Sequence, residues 1–125
     1  MQTLLTTTGT TPSARNTHST VVSNGKMVVF GGKDGYQGPS YNDAWTLDLT
    51  TLAWTLLTTT GTKLTRTYHS SIASNEKMVV FGGYDSSVFY NDAWTLDLSA
   101  LVLLPNIDMC TVKKKDGDSG YIYEC

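Results

Sequence analysis

His18 and His69 are the only histidines of this 125-residue chain, and Cys110 and Cys125 are its only cysteines. Imidazole and thiolate are the side chains best suited to hold a transition metal or to work as bases near neutral pH. The histidines stand 51 positions apart, each preceded three residues earlier by an arginine, Arg15 and Arg66. A catalytic group is needed once, so a position filled identically twice points to a structural role. A metal would need further donors, and no cluster of His, Cys or Asp at ligand spacing flanks either imidazole. Both histidines are therefore expected to be structural, with no metal and no cofactor bound. The cysteines lie together near the C-terminus, where free thiols in a reducing compartment are the default.

Three other constellations lead nowhere chemically. Residues 117–120 read Gly-Asp-Ser-Gly, the setting of some serine nucleophiles, but Tyr121 follows where glycine is needed and no domain of adequate size surrounds it. Asp116 and Asp118 start like a calcium loop, yet its sixth position is Tyr121 and its twelfth falls beyond residue 125. The pairs Asn42-Asp43 and Asn91-Asp92 recur together and are expected to shape turns and cap backbone. No catalytic residue is assigned, and the chain is expected not to be an enzyme.

Composition narrows the classes further. A net charge of -2 without a basic stripe argues against nucleic-acid and anionic membrane surfaces. The one basic run, residues 113–115, is followed at once by acids and reads as solvated tail. The first 19 residues hold Thr and Gly where a secretory signal needs an apolar run, so an intracellular, cytoplasmic location is expected.

The elements that place these residues come from repetition. Tyr-Asn-Asp-Ala-Trp-Thr-Leu-Asp-Leu occurs unchanged at 41–49 and 90–98; Lys-Met-Val-Val-Phe-Gly-Gly occurs at 26–32 and 77–83; Thr-Leu-Leu-Thr-Thr-Thr-Gly-Thr occurs at 3–10 and 55–62. The offsets between copies change only in polar, turn-like stretches, where insertions are cheap. Two units, about 3–54 and 55–104, precede a non-repeating tail at 105–125, expected to be disordered apart from one short strand near its end.

Inside each unit the pattern is strand-like. Residues 18–23 and 26–30 flank Asn24-Gly25, a strong signal for a type I′ hairpin. The second unit has Asn75-Glu76 there, and since Glu tolerates positive φ poorly, that hairpin is expected to be strained or to use another turn. Trp45, Leu47 and Leu49 alternate with Thr46 and Asp48. A fourth strand opens at Trp54, and a weak fourth strand in the second unit falls at 101–104. The fold class expected is all-β, with two four-stranded antiparallel meanders packed consecutively.

These residues resemble the kelch-repeat family of β-propeller blades. The resemblance rests on Gly31-Gly32 and Gly82-Gly83 after an apolar strand, on Trp45 and Trp94 after Asn-Asp, on the lead-ins ending at His18 and His69, and on Trp54. It implies consecutive blades of a propeller that closes with roughly four to eight blades. With two, the propeller is incomplete. The position of Trp54 is held by Leu103 in the second unit and by Gln2 before the first, so the chain reads as a fragment of a longer array. Two blades leave two apolar faces uncovered, and the isolated chain is expected to self-associate or to be marginally folded. Completion of the second blade by the N-terminal strand at 3–6 is a lesser alternative.

The resemblance implies a non-enzymatic protein–protein interaction scaffold. In an antiparallel meander the second-to-third-strand loops and the inter-blade connections share one end. The loops at 33–40 and 84–89 differ between otherwise near-identical units, as a recognition surface requires. The binding candidates are Arg15, Tyr36, Gln37, Arg66, Tyr84, Asp85 and Phe89, with a protein partner and neither nucleic acid nor membrane. Arg15 and Arg66 are also expected to hydrogen-bond backbone between blades, and Tyr41 and Tyr90 to lie in the core. The alternatives are the remnant of a kelch-propeller enzyme, galactose-oxidase-like, and a truncated product without independent function. Against the enzyme, no cysteine lies within the units to build a cross-linked tyrosine cofactor.

Overall fold

A computed structural model describes residues 1–59, 61, 63–102, 111–114 and 121–124. The first sheet has four antiparallel strands in meander order, β1 (Ser19–Ser23), β2 (Lys26–Phe30), β3 (Ala44–Asp48) and β4 (Trp54–Leu57). The second has three, β5 (Ser70–Ser74), β6 (Lys77–Asp85) and β7 (Val88–Asp97). The all-β class and the two consecutive meanders are as the sequence predicts, and β4 begins at Trp54. No helix among the described residues is long and apolar enough to cross a membrane.

The second sheet departs from the expected four strands where its repeat erodes. Ser99–Val102 form a 3-10 turn, opened by the Asp97 carboxylate accepting from the Ser99 amide at 2.8 Å and tied by Leu101 N to Leu98 O at 2.9 Å. Of the weak strand expected at 101–104, residues 103 and 104 lie outside the described residues. The N-terminal segment does not supplement this sheet. Thr8 forms a parallel bridge to Ala53 at the edge of the first sheet, and Trp54 N donates to Thr8 O at 2.9 Å. The sheets are thus offset from the sequence units, for β4 completes the first sheet although its residues from Thr55 onward open the second copy of the Thr-rich string.

Both hairpins use the same turn. Asn24 and Gly25 have φ of 52° and 72°, and Asn75 and Glu76 have 50° and 60°, so Glu76 occupies a left-handed conformation that suits glycine. The strand after the turn is identical in both units and pairs in the same register, which imposes the turn, and strain is the outcome of the two expected. In the tail, β8 (Thr111–Lys114) pairs antiparallel with β9 (Tyr121–Glu124), which gives the short strand expected near the end a partner. The rest of the tail lies outside the described residues.

The sheets stack face to face. Val21, Val28, Phe30 and Ala44 of the first pack with Met78, Val80 and Leu98 of the second, and Leu57, Leu64, Leu96 and Leu101 close the margins. Alternation along β3 therefore reads differently from a half-buried strand: Trp45 and Leu47 face one way, and Ala44 and Thr46, on the other side, are buried by the second sheet.

Candidate functional site

Each unit builds the same cluster from four side chains. Arg15 Nη1 donates to Asp43 Oδ1 at 2.6 Å, Arg15 Nη2 to Asp43 Oδ2 at 3.1 Å, and Trp45 Nε1 to Asp43 Oδ2 at 2.8 Å. The Arg15 guanidinium lies 4.3 Å from the centre of the Tyr41 ring. In the second unit Arg66 Nη2 and Trp94 Nε1 donate to Asp92 Oδ2 at 2.6 and 2.8 Å, and Arg66 lies 3.5 Å from the Tyr90 ring centre. A carboxylate between a guanidinium and an indole N–H, with an aromatic face under the cation, joins two separate stretches of chain. Burial works against the charge on Asp43, but the hydrogen bonds from Arg15 and Trp45 outweigh it and hold the carboxyl below its ordinary value. The Trp94 and Arg66 hydrogen bonds do the same for Asp92.

This geometry revises several expectations. The arginine side chains are only 4 % and 6 % exposed, so they brace each unit from within and stand apart from the loop surface. They do not bridge the sheets with their guanidinium groups; Arg15 Nη1 reaches Gly31 O of its own unit at 3.1 Å. The bridging is done by backbone, Gly32 N to Arg66 O at 3.0 Å and Tyr68 N to Thr17 O at 3.1 Å. Asp43 and Asp92 serve side chains where backbone capping was expected, because the extended strand after them turns their carboxylates to the tryptophans. Tyr41 and Tyr90 are half-buried stacking platforms.

His69 sits between the sheets, with its ring edge-on to Phe30 at 5.3 Å and its Nε2 2.7 Å from Ser19 Oγ. Among the described residues no group of three His, Cys, Asp or Glu is placed to hold a metal ion. Burial pushes the His69 imidazole below its ordinary 6.5, and the charges of Arg66 and His18 act in the same direction. The folded chain thus prefers neutral His69, while the unfolded chain takes up a proton near 6.5. Stability is full above that pH and falls as pH drops below it. The carboxylates of Asp43 and Asp92 stay ionised down to below 3.8, so their loss comes in a separate, more acidic window. Urea midpoints measured from neutral to mildly acidic pH are expected to decline, and His69→Gln should flatten that decline.

The loop end carries an open groove lined by Lys33, Tyr36, Tyr68, Tyr84 and Phe89. Tyr84 and Phe89 stack with ring centres 5.0 Å apart. Residues 84–89, expected as a loop, are the ends of β6 and β7 joined by Ser86-Ser87, both at positive φ. This stretch is two residues shorter than its counterpart at 33–40, and a two-residue turn of this type continues the ladder instead of breaking it. The groove unites Tyr36, Tyr84 and Phe89. Gln37 is exposed on the neighbouring loop, Asp85 accepts from Ser86 Oγ at 3.3 Å, and Arg15 and Arg66 are elsewhere. Lys33 and Tyr68 belong to the groove without having been singled out. Tyr68 stands where the first copy has Thr17, between the shared Arg and His of the lead-in, and an aromatic ring at one of the two positions that differ there was the signal available.

Two stacked antiparallel meanders, each pinned by an Arg–Asp–Trp cluster and a glycine pair, define consecutive blades of the propeller type. The chain belongs to the kelch-repeat family: the family model described as the KLHDC2/KLHL20/DRC7 Kelch-repeats domain matches residues 2–110. It is 40 % identical over 76 residues to Kelch domain-containing protein 3 of Bos taurus, covering 60 % of this chain and 20 % of that protein. It is 38 % identical over 85 residues to Host cell factor 2 of Homo sapiens, covering 62 % and 10 %, and 36 % identical over 83 residues to Host cell factor 1 of Rattus norvegicus, covering 61 % and 4 %. The chain spans a fifth or less of the length of these relatives.

Proposed function

We propose that this chain is a non-enzymatic protein-interaction scaffold that holds a partner segment in the aromatic groove at its loop end. The observation that supports this reading is the groove itself, where Tyr36, Tyr68 and Phe89 stand exposed around the stacked Tyr84. Large aromatic side chains left in water on a scaffold otherwise braced from within are the kind that anchor protein interfaces. Kelch membership fits a scaffold, and neither Kelch domain-containing protein 3 nor Host cell factor carries a catalytic activity in its name. An intracellular, cytoplasmic setting goes with this reading, since residues 1–104 contain no cysteine.

Selection from a displayed random-peptide library tests it. The wild-type chain is expected to enrich peptides whose binding Phe89→Ser and Tyr84→Ser each weaken by about 30-fold, the scale of a central interface residue. Thermal melting of the variants should stay close to wild type. Failure to enrich any sequence, or enrichment indifferent to these residues, would overturn the reading.

A further inference from the structure

The joint between the two blades is made of two halves, and the repetition supplies each half twice. The first half is the face of blade one that carries Val21, Phe30, Ala44 and Thr46; blade two repeats these four as Ile72, Phe81, Ala93 and Thr95 with one change, Val to Ile, while Leu57 of β4 has no counterpart in the three-stranded second sheet. The second half is the face of blade two that brings His69 and Leu98 to the joint; blade one repeats it with His18 and Leu49. One copy of each half is used inside the chain, and the other is open in part: on blade one Val29 and Leu47, the counterparts of Val80 and Leu96, are already covered at 6 % and 4 %, and the open positions are those that follow. Phe30 is 6 % exposed and Phe81 55 %, Val21 8 % and Ile72 64 %, Leu98 0 % and Leu49 46 %. His69 is buried, whereas His18 is exposed.

We propose that the open halves join, so that copies of this chain dock head to tail, with blade one of one copy on blade two of the next. The complementarity of the first three strands needs no new design, because the same side chains already fit each other between residues 19–48 and 66–98. In the docked pair His18 of one copy takes the place of His69. Its ring meets the edge of Phe81 and its imidazole meets the Ser70 hydroxyl, as His69 meets Phe30 and Ser19 at 5.3 and 2.7 Å. Leu49 enters the apolar joint as Leu98 does. Val22 and Leu56, both exposed on blade one, lie on the side of the sheet that is covered in this way. The contact is heterologous, pairing unlike surfaces, so it builds closed rings where the rotation permits and chains where it does not.

Sedimentation equilibrium of the purified chain tests this, together with two variants that each spoil one half, Leu49→Asp and Phe81→Asp. Wild type is expected to show a concentration-dependent multiple of the monomer mass, and each variant alone to lose it. Mixing the variants should restore a 1:1 heterodimer and nothing larger, because the mixture holds one intact pair of halves. That recovery also shows that both variants are folded. A monomeric wild type would falsify the proposal. So would variants that stay associated, association through some other surface being then the cause, or a mixture that fails to pair.

Discussion

Gly31→Ala is expected to destabilise the chain by about 3 kcal/mol or more, while Gly82→Ala, the same change at the equivalent position, costs about half as much. The two glycines have φ of 66° and 67°, so the price of placing an alanine in the left-handed region is common to both. They differ in what stands next to them. A Cβ on Gly31 would lie 2.6 Å from the Arg66 carbonyl oxygen and 2.9 Å from His69 Cε1, whereas on Gly82 the nearest atom is the Tyr90 carbonyl oxygen at 3.2 Å. Backbone conformation accounts for about 1–2 kcal/mol in either variant. The remainder in Gly31→Ala comes from pushing the lead-in of blade two off blade one, which also strains the Gly32 amide to Arg66 carbonyl bond of 3.0 Å. Urea unfolding of both variants checks this; equal losses would mean that the blades do not touch at Gly31.

Phe30→Ala is expected to remove about 3–5 kcal/mol, the usual cost of truncating a buried phenylalanine. A small domain has about 5–15 kcal/mol in total, so this loss is a third or more of the stability of a typical one and should lower the melting temperature by many degrees. Phe30 is buried against His69 and the apolar side chains of the second sheet, and the void left behind is lined by a joint that cannot easily collapse. The effect should not depend on protein concentration. Phe81→Ala removes the same ring from a face that the chain itself leaves open, so any loss of melting temperature should grow with protein concentration, as expected for a contact made between molecules. Melting both variants over a range of concentrations separates the two cases. A concentration-independent loss of equal size in Phe81→Ala would show that its ring is buried within one chain.

The fold was legible because repetition and strand signals agreed. Lys-Met-Val-Val-Phe preceded by Asn-Gly marks a hairpin, and the recurrence of the apolar run in the second unit, after Asn75-Glu76, removes the ambiguity that a single short run always carries. The burial of Ala44 and Thr46 was not legible, since a small residue and a hydroxyl on one side of a strand read as a solvent face until a neighbouring sheet is stacked on them. The arginines misled for a related reason. Arg15 and Arg66 precede variable loops in sequence, which suggests a surface role, but the carboxylates that bury them stand 28 and 26 positions further on. At the groove, Tyr36, Tyr84 and Phe89 came from asking where the units differ. Tyr68 was hidden because it sits between the shared Arg66 and His69 of a lead-in that reads as repeat signature.

The identity of the two units bears on how the chain reaches its structure. β2 and the first five residues of β6 share one sequence, and β3 and the last five residues of β7 share another, so a ladder between β2 and β7 would satisfy every cross-strand neighbour that β2 and β3 satisfy. Side chains cannot reject the wrong partner. What selects the right one is the lower closure entropy of the loop at 31–43 compared with the much longer excursion to residue 93. The connection between β2 and β3 is therefore a kinetic guide as well as part of the groove. Lengthening it should favour exchange of strands between units, or between molecules, over the native pairing.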